Sequence, residues 1–265
     1  MKLDIVIRTC SQQSVDNDGK SRIINDSRAD MILKCVDSVI KSANKSAADI
    51  HISILDDHST AEFLQKLASI TALSLHQITI TNLLGSGFNN SALAQFKEGL
   101  TARELVYFVE DDYFHSDDAI SAMLAFWESG ITDPYRKFNA MAIHPYDCPH
   151  RYWPTLADPT LLFYHQERYW RTLQHTSNTF MTHTNVIRTF WNIFENLAMN
   201  YPTVREHNTI NLLWSNLVTH GGPVACFSPI PSVAYHMSYQ NEPPNVLTNI
   251  HTNYKEDWKN YEFNK

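Results

Sequence analysis

The sequence predicts an α/β fold, Rossmann-like, with a mostly parallel central sheet flanked by helices. Three observations predict it. Short β-branched runs alternate with amphipathic stretches through the first half of the chain. Polar and acidic residues collect where each run ends. No internal repeat and no break in composition divides the 265 residues. Alternation of this kind gives parallel strands joined by right-handed crossovers. Ligands of such sheets sit beyond the carboxyl ends of the strands.

The elements follow in order. Asp4, Ile5, Val6 and Ile7 form a short apolar run suited to a buried strand. Residues 8–28 are polar and read as a long loop. Met31, Ile32, Cys35, Val36, Val39 and Ile40 recur at helical spacing and predict a helix over 29–43. A second strand, 51–55, ends at Asp56 and Asp57, and Ser59 or Thr60 caps a helix to about residue 69. A third strand, 77–81, leads through a Gly85-Ser86-Gly87 turn into a helix over 89–100. The fourth strand, 105–109, ends at Glu110, Asp111 and Asp112, and a helix over 116–128 opens with an acidic first turn, as the helix dipole favours. The second half is less regular. It predicts strands at 138–143, 174–182 and 224–227, helices at 185–199 and 205–218, an aromatic loop at 145–159, and a tail from 238 with no period.

Composition narrows the function. Hydrophobic residues make up 43%, enough for a full core and too many for a disordered chain. The net charge of −7 argues against a nucleic-acid binder, so an anionic substrate needs local cations such as a bound metal. The four cysteines form no CxxC pair, which fits reduced thiols in a cytoplasmic protein. The first residues run directly into a strand rather than a signal pattern, and no apolar run approaches a membrane span. The expectation is a cytoplasmic protein with no transmembrane segment and at most peripheral membrane contact.

The strongest chemical signal is Glu110-Asp111-Asp112. An apolar strand delivers three carboxylates to the ligand edge, where their mutual repulsion asks for a cation. Carboxylate oxygens suit Mn²⁺ or Mg²⁺, which keep waters and bridge to substrate phosphates.

These segments together resemble glycosyltransferases of the GT-A fold, closest in layout to the inverting family 2. The resemblance runs from Asp4 to about Asp118, with weaker echoes to His236. Arg8 and Thr9 fall at the nucleotide-facing end of that family's first strand. Asp56 and Asp57 in Ser53-Ile54-Leu55-Asp56-Asp57-His58-Ser59 are similar to its "DDgS" segment, whose acid meets the base. Asn82, Gly85, Gly87 and Asn90 match its stretch before the next helix, and Glu110-Asp111-Asp112 falls where its metal-binding DxD does. The resemblance implies Glu110 near the ribose, Asp112 as a metal ligand, and His236 returning to the metal or diphosphate. It also implies that Arg8, Thr9, Asp56, Asp57, Gly85, Asn90, Glu110 and Asp111 hold the nucleotide, the Gly85–Asn90 turn offering backbone N–H groups to the diphosphate.

Glu206-His207 resembles the family's "ED" acceptor-site motif, with His207 in place of the Asp. An inverting transfer needs a general base, and either Glu206 or His207 can serve, Glu206 being preferred. Ser177-Asn178-Thr179-Phe180 resembles the strand bordering the two sugars, and His150, Arg151, Tyr152 and Trp153 offer faces for an acceptor sugar. The implied partners are a UDP-, GDP- or dTDP-linked sugar donor and a carbohydrate or glycoconjugate acceptor. The whole chain, 1–265, reads as one domain, with a donor half at 1–118 and an acceptor half at 119–265. Two alternatives compete. A sugar-1-phosphate nucleotidyltransferase needs a Gly-rich basic loop after the first strand, and residues 10–18 offer none. A non-catalytic carbohydrate-binding protein that kept the fold is the other.

Overall fold

In a computed structural model of the chain, residues 1–12, 26–148, 152, 159–219, 221–237 and 254–263 are described. The first half follows the predicted alternation: β1 (Lys2–Thr9), α1 (Arg28–Asn44), β2 (Asp49–Asp56), α2 (Ala61–Thr71), β3 (Gln77–Asn82), α3 (Phe88–Thr101) and β4 (Leu105–Val109). Next come β5 (Tyr113–His115), α4 (Ala119–Trp127), α5 (Asp133–Arg136) and β6 (Met141–Ile143). A hairpin of β7 (Leu162–His165) and β8 (Arg168–Thr172) precedes β9 (Phe180–His183), α6 (Thr184–Thr189) and α7 (Trp191–Asn200). Two 3-10 turns, Glu206–Asn208 and Ile210–Leu212, lead to β10 (Trp214–Ser215), β11 (Val224–Ile230), β12 (Ala234–His236) and α8 (Tyr254–Lys259).

Among the described residues, ten strands form one sheet in the order β3-β2-β1-β4-β9-β6-β11-β8-β7, with β10 also on β11. The β3-β2-β1-β4 half is parallel throughout. Strand β9 runs against both its neighbours, β4 and β6. Alternating side chains feed a core on each face. Leu3, Ile5 and Ile7 pack with α1, α2 and α4, while Val6, Val106 and Phe108 pack with α3, α6 and α7. Each such buried aliphatic or aromatic side chain stabilises the fold by about 1.5–3 kcal/mol. Strands β5 and β12 pair apart from the main sheet, putting His236 opposite Tyr113. Among the described residues no helix is long and apolar enough to cross a membrane.

Local chemistry explains the boundaries. Ser27 caps α1 by accepting from the Asp30 N–H. Of the two candidate caps for α2, Thr60 does the capping, accepting from the Phe63 N–H. Gly87 precedes α3 at φ 89°, a left-handed conformation that a side chain would strain. The helix expected over 116–128 starts only at Ala119, so its acids precede the first turn, and Asp118 pairs with Arg168 instead.

The second half departs further from expectation. The helix expected over 205–218 is absent. Thr209, at φ −136° and ψ −102°, ends the first 3-10 turn, and Trp214 and Ser215 extend to pair with β11. Phe190 breaks the helix expected over 185–199 into α6 and α7. The strand expected over 138–143 shortens to β6 because Asn139 turns left-handed at φ 53°. The strand expected over 174–182 shortens to β9, its first residues held by side-chain bonds at the sheet edge. The polar stretch 13–25 and residues 150, 151 and 153 of the aromatic loop lie outside the described residues.

Candidate active site

The carboxyl ends of β1, β2 and β4 meet at one edge, and Gln95 ties two of them. From α3 its Nε2 donates to Val6 O at 2.8 Å and Val109 O at 3.1 Å. The three acids that follow β4 then separate, and each meets a cationic group of the protein. Glu110 accepts from Arg8 at 3.3 Å. Asp111 takes both carboxylate oxygens to Arg28, at 3.1 and 3.2 Å, and one also accepts from the Cys10 N–H. Asp112 faces His236 Nε2 at 3.1 Å, and its carbonyl accepts from the Met237 N–H.

The electrostatics follow from burial and neighbours. Burial raises the Glu110 pKa, with Asp112 and Glu206 adding and Arg8 opposing. Burial likewise pushes Asp111 up to about 6 against the pull of Arg28. Burial alone would lower the His236 pKa, but the charge and hydrogen bond of Asp112 turn the net shift upward. Adjacent residues link the end of β4 to the first 3-10 turn: Thr179 accepts from the Glu110 N–H at 3.0 Å, and Asn178 donates to Glu206 at 3.3 Å.

The predicted nucleotide-side residues and the two candidate bases have the following places. Arg8 is nearly buried, with its guanidinium 4.9 Å from the Phe88 ring centroid and one N–H reaching Ser91 at 3.4 Å. Thr9 donates to Asp56 at 2.9 Å, and Asp56 also accepts from the Ser59 N–H, so both are tied into the β2–α2 turn. Asp57 accepts from the Gly87 N–H at 2.7 Å and contacts His58. The Gly87 N–H expected to face a diphosphate is thus already engaged. Gly85 lies against the Asn90 side chain, which would meet an added Cβ at 2.8 Å, and Asn90 itself donates to Ser86 O. Glu206 is half-buried and accepts from Asn178 Nδ2 at 3.3 Å, whereas His207 is exposed. The two candidate bases are therefore unequal: only Glu206 is held toward the acids.

Arg28, Tyr113 and Gln95 escaped sequence reasoning, while Thr179, expected to border the sugars, holds Glu110 as well. Arg28 lies at the end of the polar loop with nothing in its spacing to pair it with Asp111. Thr179 bonds to the Glu110 N–H at 3.0 Å and to its carboxylate at 3.4 Å. Tyr113 reaches Ser177 Oγ at 2.8 Å and lies 5.0 Å, ring to ring, from His236. Gln95 did carry a signal, since a polar residue sits between Ala92 and Phe96 on the apolar face of α3.

Asp112 and His236 suit a divalent cation. A carboxylate and an imidazole supply two donors, and ions such as Mg²⁺ complete their sphere with water and substrate phosphate. Among the described residues no group of three or more His, Cys, Asp or Glu forms a ready cage. The arrangement therefore fits a cation shared with a phosphate-bearing ligand, and does not fit a closed structural metal site.

Comparison with known proteins adds the following. The sequence profile described as "Glycosyl transferase family 2" matches residues 23–193. No curated protein sequence matches the chain. Among solved structures, S. aureus TarS 1–349 in complex with UDP is similar at a TM-score of 0.51 and 14% identity, over 86% of this chain and 60% of that one. S. aureus TarS 1–349 without UDP gives 0.50 at 13% identity, over the same shares. The chain spans 29% of the longer S. aureus TarS chain. At these identities the likeness shows the fold, the GT-A arrangement of a large sheet flanked by helices.

Proposed function

The chain belongs to glycosyltransferase family 2, and from that premise we propose that it transfers a sugar from a nucleotide-diphosphate donor to an acceptor hydroxyl, with inversion and with Mn²⁺ or Mg²⁺. The donor is UDP-, GDP- or dTDP-linked, and the acceptor is a carbohydrate or glycoconjugate. The observation that carries the reading is that Asp112 meets His236 at the carboxyl edge of the parallel half-sheet, while Glu110 and Glu206 are joined to the neighbouring residues Thr179 and Asn178. Residues 1–118 supply the donor half and 119–265 the acceptor half of one domain. A cytoplasmic location, with peripheral contact to a membrane-borne acceptor, belongs to the same reading.

In this mechanism the chain's residues divide the work. Asp112 and His236 would hold the cation, which supplies Lewis-acid stabilisation to the leaving diphosphate. Arg8 and Glu110 frame the ribose side, Asp57 faces the base, and the remaining N–H groups of the Gly85–Asn90 turn face the diphosphate. Glu206 removes the acceptor hydroxyl's proton as the sugar carbon is attacked from the face opposite the diphosphate.

The test is Glu206→Gln beside His207→Ala. The first should lower turnover by roughly 10²–10⁴-fold and leave UDP affinity intact; the second should remain active. If His207→Ala abolishes turnover while Glu206→Gln keeps it, the imidazole is the base and the assignment fails. Product NMR checks inversion, since an anomeric coupling that retains the donor's configuration rules it out.

A further inference from the structure

We propose that Asn178 is the positioning residue that aims Glu206 at the acceptor hydroxyl, an inference that rests on the reading of Glu206 as the base. Asn178 lies in the segment before β9, and every neighbour of it in sequence is tied down. Thr176 donates its N–H to Asn211 Oδ1 at 2.9 Å and accepts from the Trp214 indole at 2.9 Å. Ser177 meets the Tyr113 hydroxyl at 2.8 Å, and Thr179 meets the Glu110 N–H at 3.0 Å. The backbone at 178 is thereby fixed to the acidic edge on one side and to the second 3-10 turn on the other. From that anchor the Asn178 amide, 1% exposed, donates to Glu206 Oε1 at 3.3 Å.

The backbone at Glu206 is held by the Arg205–Asn208 capping box and the Thr209 hydroxyl, so it is the side chain's direction that Asn178 sets. Glu206 sits in a three-residue 3-10 turn whose ends are a half-exposed loop and Thr209. A side chain there has several rotamers open to it, and only some face the cleft. An amide N–H is the right partner for a base. It orients one carboxylate oxygen without giving up a proton, and leaves the other oxygen for the hydroxyl. In the step itself the acceptor O–H proton passes to the free oxygen of Glu206. The acceptor oxygen bonds to the sugar carbon, and the pair of the broken bond leaves with the diphosphate.

A second observation points the same way. The other end of the amide, Asn178 Oδ1, is buried and has no hydrogen-bond partner among the described residues. A buried acceptor left unpaired costs stability, and native structures keep few of them. An apolar or hydroxyl side chain would avoid that cost, so the asparagine is better explained by what its N–H does for Glu206 than by packing.

The experiment measures UDP release from UDP-N-acetylglucosamine and UDP-glucose with Mn²⁺, water serving as acceptor, across the pH range of activity. Wild type, Asn178→Ala, Asn178→Asp, Glu206→Gln and the Asn178→Ala/Glu206→Gln double variant are compared. Asn178→Ala should lower kcat by about 10- to 100-fold, the effect of a misaimed group, with donor KM within about twofold. In the Glu206→Gln background it should cost nothing more, because residues acting as one unit are not additive. Asn178→Asp sets a second carboxylate beside Glu206 and should move the acidic limb of the pH–rate profile upward by about one unit. Multiplicative losses, a loss in KM alone, or an unmoved profile each overturn the proposal. Full turnover of Glu206→Gln sinks the base assignment and Asn178's role with it. Crystal structures of wild type and Asn178→Ala decide independently of activity: the Glu206 carboxylate should leave its position, and an unchanged Glu206 refutes the proposal even if neither donor is turned over.

Discussion

Asp147 should destabilise the fold as it ionises, although an arginine faces it. It is 3% exposed, accepts from the Tyr152 hydroxyl, and lies 3.5 Å from Arg171, whose guanidinium also sits 5.1 Å from the Tyr152 ring centroid. Burial pushes its pKa up to about 6, with Arg171 the main opposing influence and too distant to cancel it. A carboxyl whose folded pKa lies above its unfolded value contributes its stability below the unfolded value. That contribution is lost as pH rises through the folded one. The rise from the ordinary value to about 6 makes the loss about 2 kcal/mol between pH 4 and pH 7. Asp147→Asn keeps an oxygen for Tyr152 and cannot ionise. The usual rule for removing one partner of a buried pair would give a loss of about 3–5 kcal/mol at neutral pH. The expectation here is opposite in its pH dependence: relative to wild type, Asp147→Asn should gain about 2–3 kcal/mol between pH 4.5 and pH 8. Urea unfolding at both pH values, followed by tryptophan fluorescence, gives the difference directly. A variant whose stability relative to wild type is flat, or falls, over that range refutes the argument.

Three further outcomes are expected. Asp112→Asn should remove most metal-dependent sugar transfer, while Asp117→Asn, whose partner is the surface Lys45, should not; full activity of Asp112→Asn in EDTA would falsify the metal role. Asp57→Ala should weaken UDP binding by roughly tenfold, about one charged hydrogen bond, whereas Asp56→Ala should chiefly lower the melting temperature because it serves Thr9 and Ser59. Calorimetry showing unchanged affinity in a folded Asp57→Ala protein removes Asp57 from the site. Arg28→Met should destabilise by about 3–5 kcal/mol by leaving Asp111 buried and unpaired, and adding Asp111→Asn should recover much of that; two losses that simply add would show that the pair is not coupled.

What was legible in the sequence was whatever local periodicity encodes. The β1–β4 half reads correctly because Ile5, Ile7, Ile52 and Ile54 fill one face of a parallel sheet and Val6 and Leu55 the other, and Val36, Val39 and Ile40 mark one face of a helix. The acidic motif was visible because a strand end points it at the ligand edge. The pairings around it were not. Arg28 meets Asp111 across 83 residues, and no spacing rule links them. The β7–β8 hairpin turns at Gln166 and Glu167, with φ of 47° and 63°, where glycine or asparagine would have announced the turn. The stretch 205–218 carries helical spacing, yet Trp214 is needed in β10 and Asn211 is taken by Thr176. Tertiary demand overrode local preference there, and the 3-10 turn that presents Glu206 is the result.

The pairing of Glu110 with Arg8 closes a span of 102 residues, and the β5–β12 ribbon that brings His236 to Asp112 closes a longer one. Such closures carry an entropic cost that grows with the logarithm of the span, and parallel strands already make a topology slow to form. Collapse of the β1–β4 half can gather the acids, but not the imidazole or the loop ahead of β9. Refolding should therefore restore secondary structure well before catalysis. With His236 in its proposed role, activity recovered in a time course should mark the arrival of β12, the last stage of assembly.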